Sequence, residues 1–171
     1  MVYLVRVEDQ AVKPLFETPP AKSDFVPSPD GYFLAYMKPS EQNTALNLLT
    51  PNGSTVRELA AFKNTSIYPI VWSPDGVRLA FVSLTNGSET TSGQDVLIIG
   101  SDGRELQQIY HSAFGSINNL SFSSDGRYLL FQDDDATGRH IFVVELSTLE
   151  QHMLQVPNLP WDWWWLAPSW R

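Results

Sequence analysis

The chain has 171 residues, 43% of them hydrophobic and 18% charged, enough for one domain with a core and too little charge for a disordered chain. Its formal net charge is −8 and its eleven Lys and Arg form no run. That excludes a nucleic-acid binder, because neutralising phosphates takes clustered basic side chains. With no cysteine there is neither a disulfide nor a thiolate metal site.

Residues 1–10 have no cationic start and no long apolar stretch, so they do not read as a signal peptide. No segment reaches the roughly 20 apolar residues of a membrane helix, and no membrane insertion is expected. The first elements are two short strands, residues 3–8 and 12–17. A turn follows at Ser28-Pro29-Asp30-Gly31, and with it begins a recurring pattern. SPDGYFLAYM from Ser28, SPDGVRLAFV from Ser73 and SSDGRYLLFQ from Ser123 align without gaps, 45 and then 50 residues apart. The pairs Asp30-Gly31, Asp75-Gly76 and Asp125-Gly126 are hairpin signals, because glycine takes a positive φ at little cost. Pro29 and Pro74 preset φ for the turn, and the serines and aspartates bond nearby amides.

Four strands can be placed around each turn. Strand A precedes it (67–73 and 118–123) and is weak in the first copy, where Pro27 stands in place of Trp72 and Phe122. Strand B follows the turn (77–83 and 128–132). A polar loop leads to strand C (45–50, 95–100 and 140–146). A short turn, Pro51-Asn52-Gly53 or Ser101-Asp102-Gly103, leads to strand D (55–60, 105–110 and 151–155). Residues 166–171 have the look of another strand A cut off before its turn. No helix is predicted. In strand B, Leu34, Leu79 and Leu129 share a face with Tyr36, Phe81 and Phe131, while Ala35, Ala80 and Leu130 point the other way. A strand apolar on both faces is covered on both.

A repeat of this length with four antiparallel strands is a propeller blade. The expected fold class is all-β: a β-propeller, or part of one, of about three to four four-stranded antiparallel blades. Residues 1–171 read as a single domain with blade repeats at approximately 1–18 (partial), 23–62, 66–110, 117–156 and 165–171 (partial, first strand). The last strand closes a small ring against the N-terminal pair, or the chain is part of a larger propeller, or a homodimer completes one.

WSPDGVRLAFV, starting at Trp72, resembles the signature of TolB-type propeller repeats, also called PD40 or WD40-like repeats. GQDVLIIGSDG from Gly93 and DATGRHIFVVEL from Asp135 are similar to that family's entry into strand C, and the final PSWR to its closing strand. The resemblance covers nearly the whole chain. It implies a non-catalytic module that binds a protein partner, in a periplasmic or otherwise extracytoplasmic setting. The family also furnishes propeller domains to prolyl-oligopeptidase-like serine hydrolases, so a hydrolase-associated segment is the alternative, and a carbohydrate-binding propeller is another. Against the pattern of TolB-type chains, neither the extra N-terminal domain nor more than about half of the blades is expected within these 171 residues.

No Gly-x-Ser-x-Gly elbow and no Gly-x-x-x-x-Gly-Lys loop is present, and no enzyme activity or cofactor is expected. His111, His140 and His152 share no ligand spacing, and Asp133-Asp134-Asp135 lacks the alternating pattern of a calcium loop and reads as a solvated B–C loop, so no metal is expected. Ser28, Asp30, Gly31, Ser73, Asp75, Gly76, Ser123, Asp125 and Gly126 are assigned to turn structure. The most unusual feature is Trp161-Asp162-Trp163-Trp164-Trp165, which falls in a D–A connection equivalent to 61–67 and 111–117. It either covers a blade edge or supplies large rigid apolar surface to a partner. D–A and B–C connections share one end of a propeller, and loops on a rigid scaffold carry function. The contacts expected there are Tyr68, Asn118, Trp163 and Trp164.

Overall fold

The computed structural model describes residues 2–5, 8–16, 25–50, 56–85 and 93–154. These residues form strands and no helix, and so hold no helix long and apolar enough to cross a membrane. Strands β1 (Val2–Val5) and β2 (Val12–Phe16) pair as an antiparallel ribbon. Blade I is β3 (Val26–Pro27), β4 (Leu34–Pro39), β5 (Asn43–Leu49) and β6 (Val56–Lys63). Blade II is β7 (Thr65–Trp72), β8 (Arg78–Thr85), β9 (Gln94–Gly100) and β10 (Gln107–Ser112). Blade III is β11 (Ser116–Phe122), β12 (Tyr128–Asp135), β13 (Gly138–Glu145) and β14 (Glu150–Leu154). Each blade is an antiparallel meander in chain order, A to D. This is the all-β, four-stranded-blade architecture that the repeat predicts.

The same turn joins the first two strands of each of the three blades. The hydroxyls of Ser28, Ser73 and Ser123 each donate to the aspartate two residues on, at 2.6 Å. The same oxygens accept the amides of Phe33, Arg78 and Tyr128 at 2.9, 2.9 and 3.0 Å. Gly31, Gly76 and Gly126 have φ of 73°, 70° and 69°, which a Cβ would strain. Their amides donate to the serine carbonyls at 2.9 Å.

The blades stack through alternating faces. On β8, Leu79 and Phe81 join blade I residues Ala35, Leu46 and Leu48. Their neighbours Ala80 and Val82 join blade III residues Leu129, Phe131 and Val144. All four β8 side chains are fully buried, and burial of each of the larger ones contributes about 1.5–3 kcal/mol. The weak first A strand is as short as Pro27 suggests: only Val26 and Pro27 pair with β4. Trp72 compensates in part, its Nε1 donating to Val26 O at 3.0 Å across the junction.

Strand ends differ from the sequence reading. Strand D continues to Lys63 and Ser112, and strand A starts at Thr65 and Ser116. The D–A connections are therefore Asn64 alone and residues 113–115, not 61–67 and 111–117. Asn64 turns the chain in one step with φ 49°, a conformation asparagine tolerates, and its amide donates to Gln42 O at 2.8 Å. The acidic run is also strand, not loop: β12 extends to Asp135, and Asp133 is only 3% exposed. The Pro51-Asn52-Gly53 turn, the tryptophan cluster with Trp163 and Trp164, and the closing strand 165–171 lie outside the described residues.

Candidate binding face

The meander puts all A–B and C–D turns at one end and all D–A and B–C connections at the other. At the first end, Arg78 Nη2 donates to Gly126 O at 3.0 Å, joining the turn of blade III to blade II. Ser101 N donates to Val77 O at 2.7 Å, bringing a C–D turn alongside. The carboxyls of Asp30, Asp75 and Asp125 are held below their ordinary value, first by the serine hydroxyl and then by the amides of Tyr32, Val77 and Arg127. The hydrogen-bonding capacity of these turns is directed inward, at the turns themselves.

At the other end, Tyr68 and Asn118 occupy the same repeat position, five residues before the buried serine of their blades. Both sit where strand A bulges against strand B. Tyr68, which precedes a cis proline, is 42% exposed. Asn118 is half-buried, and its Nδ2 donates to Ser116 O at 3.0 Å, so it presents less to a partner than Tyr68 does.

The sequence reading missed Phe114, the most exposed large apolar side chain among the described residues at 96%. It stands on the three-residue D–A turn between blades II and III. That turn has a built base. Gly115 N donates to Ser112 Oγ at 2.9 Å, and Ser112 is buried. Gly115 lies so close to Asp133 that a Cβ there would meet Asp133 Oδ1 at 1.8 Å. Asp133 Oδ2 accepts the Tyr110 hydroxyl at 2.8 Å, while Oδ1 has no hydrogen-bond partner. Burial, then the hydrogen bond to Asp133 and its charge, push the Tyr110 phenol well above its ordinary value. The Tyr110 ring packs on Phe131 and Phe142 with centroids 4.8 and 4.9 Å away. Gln94 Oε1 reaches from blade II to accept Ile117 N at 2.7 Å. The available signal was a lone phenylalanine between an alanine and a glycine in a short connection.

The histidines are dispersed. His111 Nδ1 lies 2.7 Å from Asp95, His140 Nε2 2.8 Å from Thr137 Oγ1, and His152 Nε2 3.5 Å from Glu150. Among the described residues no group of three or more His, Asp and Glu is arranged to hold a metal ion. Asp135 accepts the Thr137 hydroxyl and amide at 2.6 and 2.7 Å and caps a turn.

No family model matches the sequence, and no curated protein matches it. Solved structures do match. TolB from Acinetobacter baumannii superposes with a TM-score of 0.66 at 15% identity, over 91% of this chain and 37% of that one. The acylaminoacyl peptidase of Pyrococcus horikoshii gives 0.68 at 17% identity, over 90% of this chain and 28% of the peptidase. A chain of a nidogen/laminin complex gives 0.66 at 11% identity, over 90% and 56%. The chain is thus similar to only part of each of these longer proteins. The class they define is the β-propeller. TolB is among the propellers this chain resembles, as the repeats around Ser28, Ser73 and Ser123 led one to expect.

Proposed function

We propose that this chain is a non-catalytic protein-interaction module that holds its partner on the end formed by the D–A and B–C connections. Phe114 carries the proposal. It is 96% exposed and stands on a turn whose backbone is held by the buried Ser112 hydroxyl. Burying it in a partner's pocket gains apolar area, and with the turn backbone already held the ordering cost falls on the ring alone. Tyr68 supplies a second aromatic surface at the same end, and Asn118, Trp163 and Trp164 complete the contact set. The likeness to a chain of a nidogen/laminin complex supports use of this fold in protein assembly.

A second reading, a propeller segment working beside a serine hydrolase, draws support from the likeness to the Pyrococcus horikoshii acylaminoacyl peptidase. One experiment separates the two. The immobilised chain is used to capture proteins from an extract of its own organism, alongside Phe114→Ala and Trp163→Ala/Trp164→Ala. A partner retained by the parent chain and lost by both variants, with unchanged urea midpoints, supports the module. Equal capture by all three overturns this face. A retained partner that cleaves a peptide p-nitroanilide moves the assignment to the hydrolase reading.

A further inference from the structure

The junction of blades I and II opens, at the same end of the propeller, into a cleft of ≈ 210 Å³. Ser40, Glu41 and Gln42 of the B–C loop with Asn43 and Thr44 at the start of β5 line one side, and Asn64, Thr65 and Ser66 line the other. The repeat explains why it exists. At the next junction Gln94 spans the gap to Ile117 N and is 7% exposed. Thr44 holds the matching position in blade I: it pairs with Pro39 and Phe62, as Gln94 pairs with Leu84 and Ser112. Ile67 matches Ile117, each opposite the residue two after its blade's buried strand B aromatic, Ser83 and Asp133 respectively. Threonine is too short to bridge, and the junction stays open.

The lining is chemically selective. It consists of hydroxyls, amides and one carboxylate, Glu41, with no aliphatic side chain longer than the threonine methyls. The side-chain amides of Gln42, Asn43 and Asn64 make no hydrogen bond among the described residues, and each offers both donors and an acceptor. Tyr68 lies two residues beyond Ser66 on the same side of β7, about 7 Å along the strand, with its ring partly exposed. We propose that this cleft binds a neutral saccharide, with Gln42, Asn43 and Asn64 paired to vicinal hydroxyls and the Tyr68 ring against the C–H face of a pyranose. Sugar hydroxyls are donors and acceptors at once, which free amides match, and a pyranose has an apolar face that an aromatic ring covers. Glu41 disfavours an anionic sugar. The cleft is independent of Phe114 and so goes beyond the protein-binding reading.

The test is a titration of the whole chain with maltotriose, cellotriose and chitotriose, with trigalacturonate and a neutral hexapeptide as controls, followed by amide chemical shifts. The expected result is that one neutral trisaccharide binds and its shifts centre on Gln42, Asn43, Asn64 and Tyr68. Gln42→Ala with Asn64→Gly, glycine keeping the positive φ, should weaken it about tenfold, as loss of two hydrogen bonds requires. Thr44→Gln should weaken it as much by closing the junction as Gln94 does, and Phe114→Ala should leave it unchanged. The proposal is overturned if no neutral trisaccharide binds at about 10 mM, a concentration that reveals even weak sites, if trigalacturonate or the peptide binds better, or if Gln42→Ala/Asn64→Gly binds as the parent does.

Discussion

The two blade junctions share a seam and differ at the rim. At I–II, Leu79, Phe81 and Trp72 pack against Ala35, Leu46 and Leu48; at II–III, Val82, Val96 and Ile98 pack against Leu129, Phe131 and Val144. The apolar plan is the same because β8 and β9 must be covered on both faces. Towards the D–A and B–C end the plans diverge. Junction II–III is crossed there by Gln94 to Ile117 and by Tyr110 to Asp133, and it raises Phe114 on a closed base. Junction I–II has Thr44 and Ser83 in the places of Gln94 and Asp133, turns on Asn64 alone, and is left open as a cleft. Polar residues at a rim therefore decide whether a junction displays a side chain or opens into a cleft, while the seam beneath stays fixed.

Gly115→Ala should break this comparison hardest. Its Cβ would stand 1.8 Å from Asp133 Oδ1 and 2.5 Å from Ser112 Oγ, and both residues are buried. The base of the turn must move, at a cost of about 3 kcal/mol, read as a lower urea midpoint. The matching residue in blade II is Thr65, a β-branched side chain accommodated where no carboxylate intrudes. Thr65→Gly should accordingly cost much less, about 1 kcal/mol.

Tyr110→Phe comes next. It leaves a buried Asp133 with neither oxygen partnered and should cost about 2 kcal/mol. Adding Asp133→Ser, which installs the residue of blade II at that position, should recover a measurable part of the loss in a double-mutant cycle. A pH signature accompanies it. The folded chain holds the Tyr110 phenol above its ordinary value, so its contribution is whole below about pH 10, the unfolded value. As pH rises beyond that point the unfolded chain releases the proton first and stability falls. Denaturation midpoints measured on both sides of pH 10 should show this decline in the parent chain and a shallower one in Tyr110→Phe.

What could be read from the sequence was local. Ser73-Pro74-Asp75-Gly76 specifies its own hydrogen bonds within six residues, and the alternation of Leu79, Ala80, Phe81 and Val82 announces a strand covered on both faces. What escaped depended on partners far along the chain. Asp133 reads as a solvated loop residue until Tyr110, 23 residues earlier, and Gly115 enclose it. The first D–A connection reads as seven residues rather than one because no Gly or Pro marks Lys63-Asn64-Thr65, and the turn there is made by an asparagine with positive φ. Phe114 drew no notice beside a cluster of tryptophans, because exposure belongs to the folded chain and not to the residue type.

A smaller effect should follow at the opposite end. Ser73 is fully buried, donates to Asp75 at 2.6 Å and accepts Arg78 N at 2.9 Å, so Ser73→Ala should cost about 1–2 kcal/mol. Its hydroxyl is the leading cause that lowers the Asp75 carboxyl. A lowered folded value stabilises above the ordinary carboxylate range and is lost as pH falls through it. Acid unfolding of Ser73→Ala should therefore be less steep than that of the parent, by one of three equivalent turns.

Phe114→Ala should change stability least, by no more than about 0.5 kcal/mol, and that near-silence is what makes it informative. A side chain 96% exposed leaves no cavity when truncated, and the hydrogen bond that holds its turn runs from Gly115 N to Ser112 Oγ. If urea denaturation instead showed a loss comparable with Tyr110→Phe, Phe114 would be packed in solution, and junction II–III would display nothing. If stability holds and partner capture fails, the ring acts only in the complex. The order of effects, from Gly115 down to Phe114, would then separate the base that positions the turn from the side chain the turn presents.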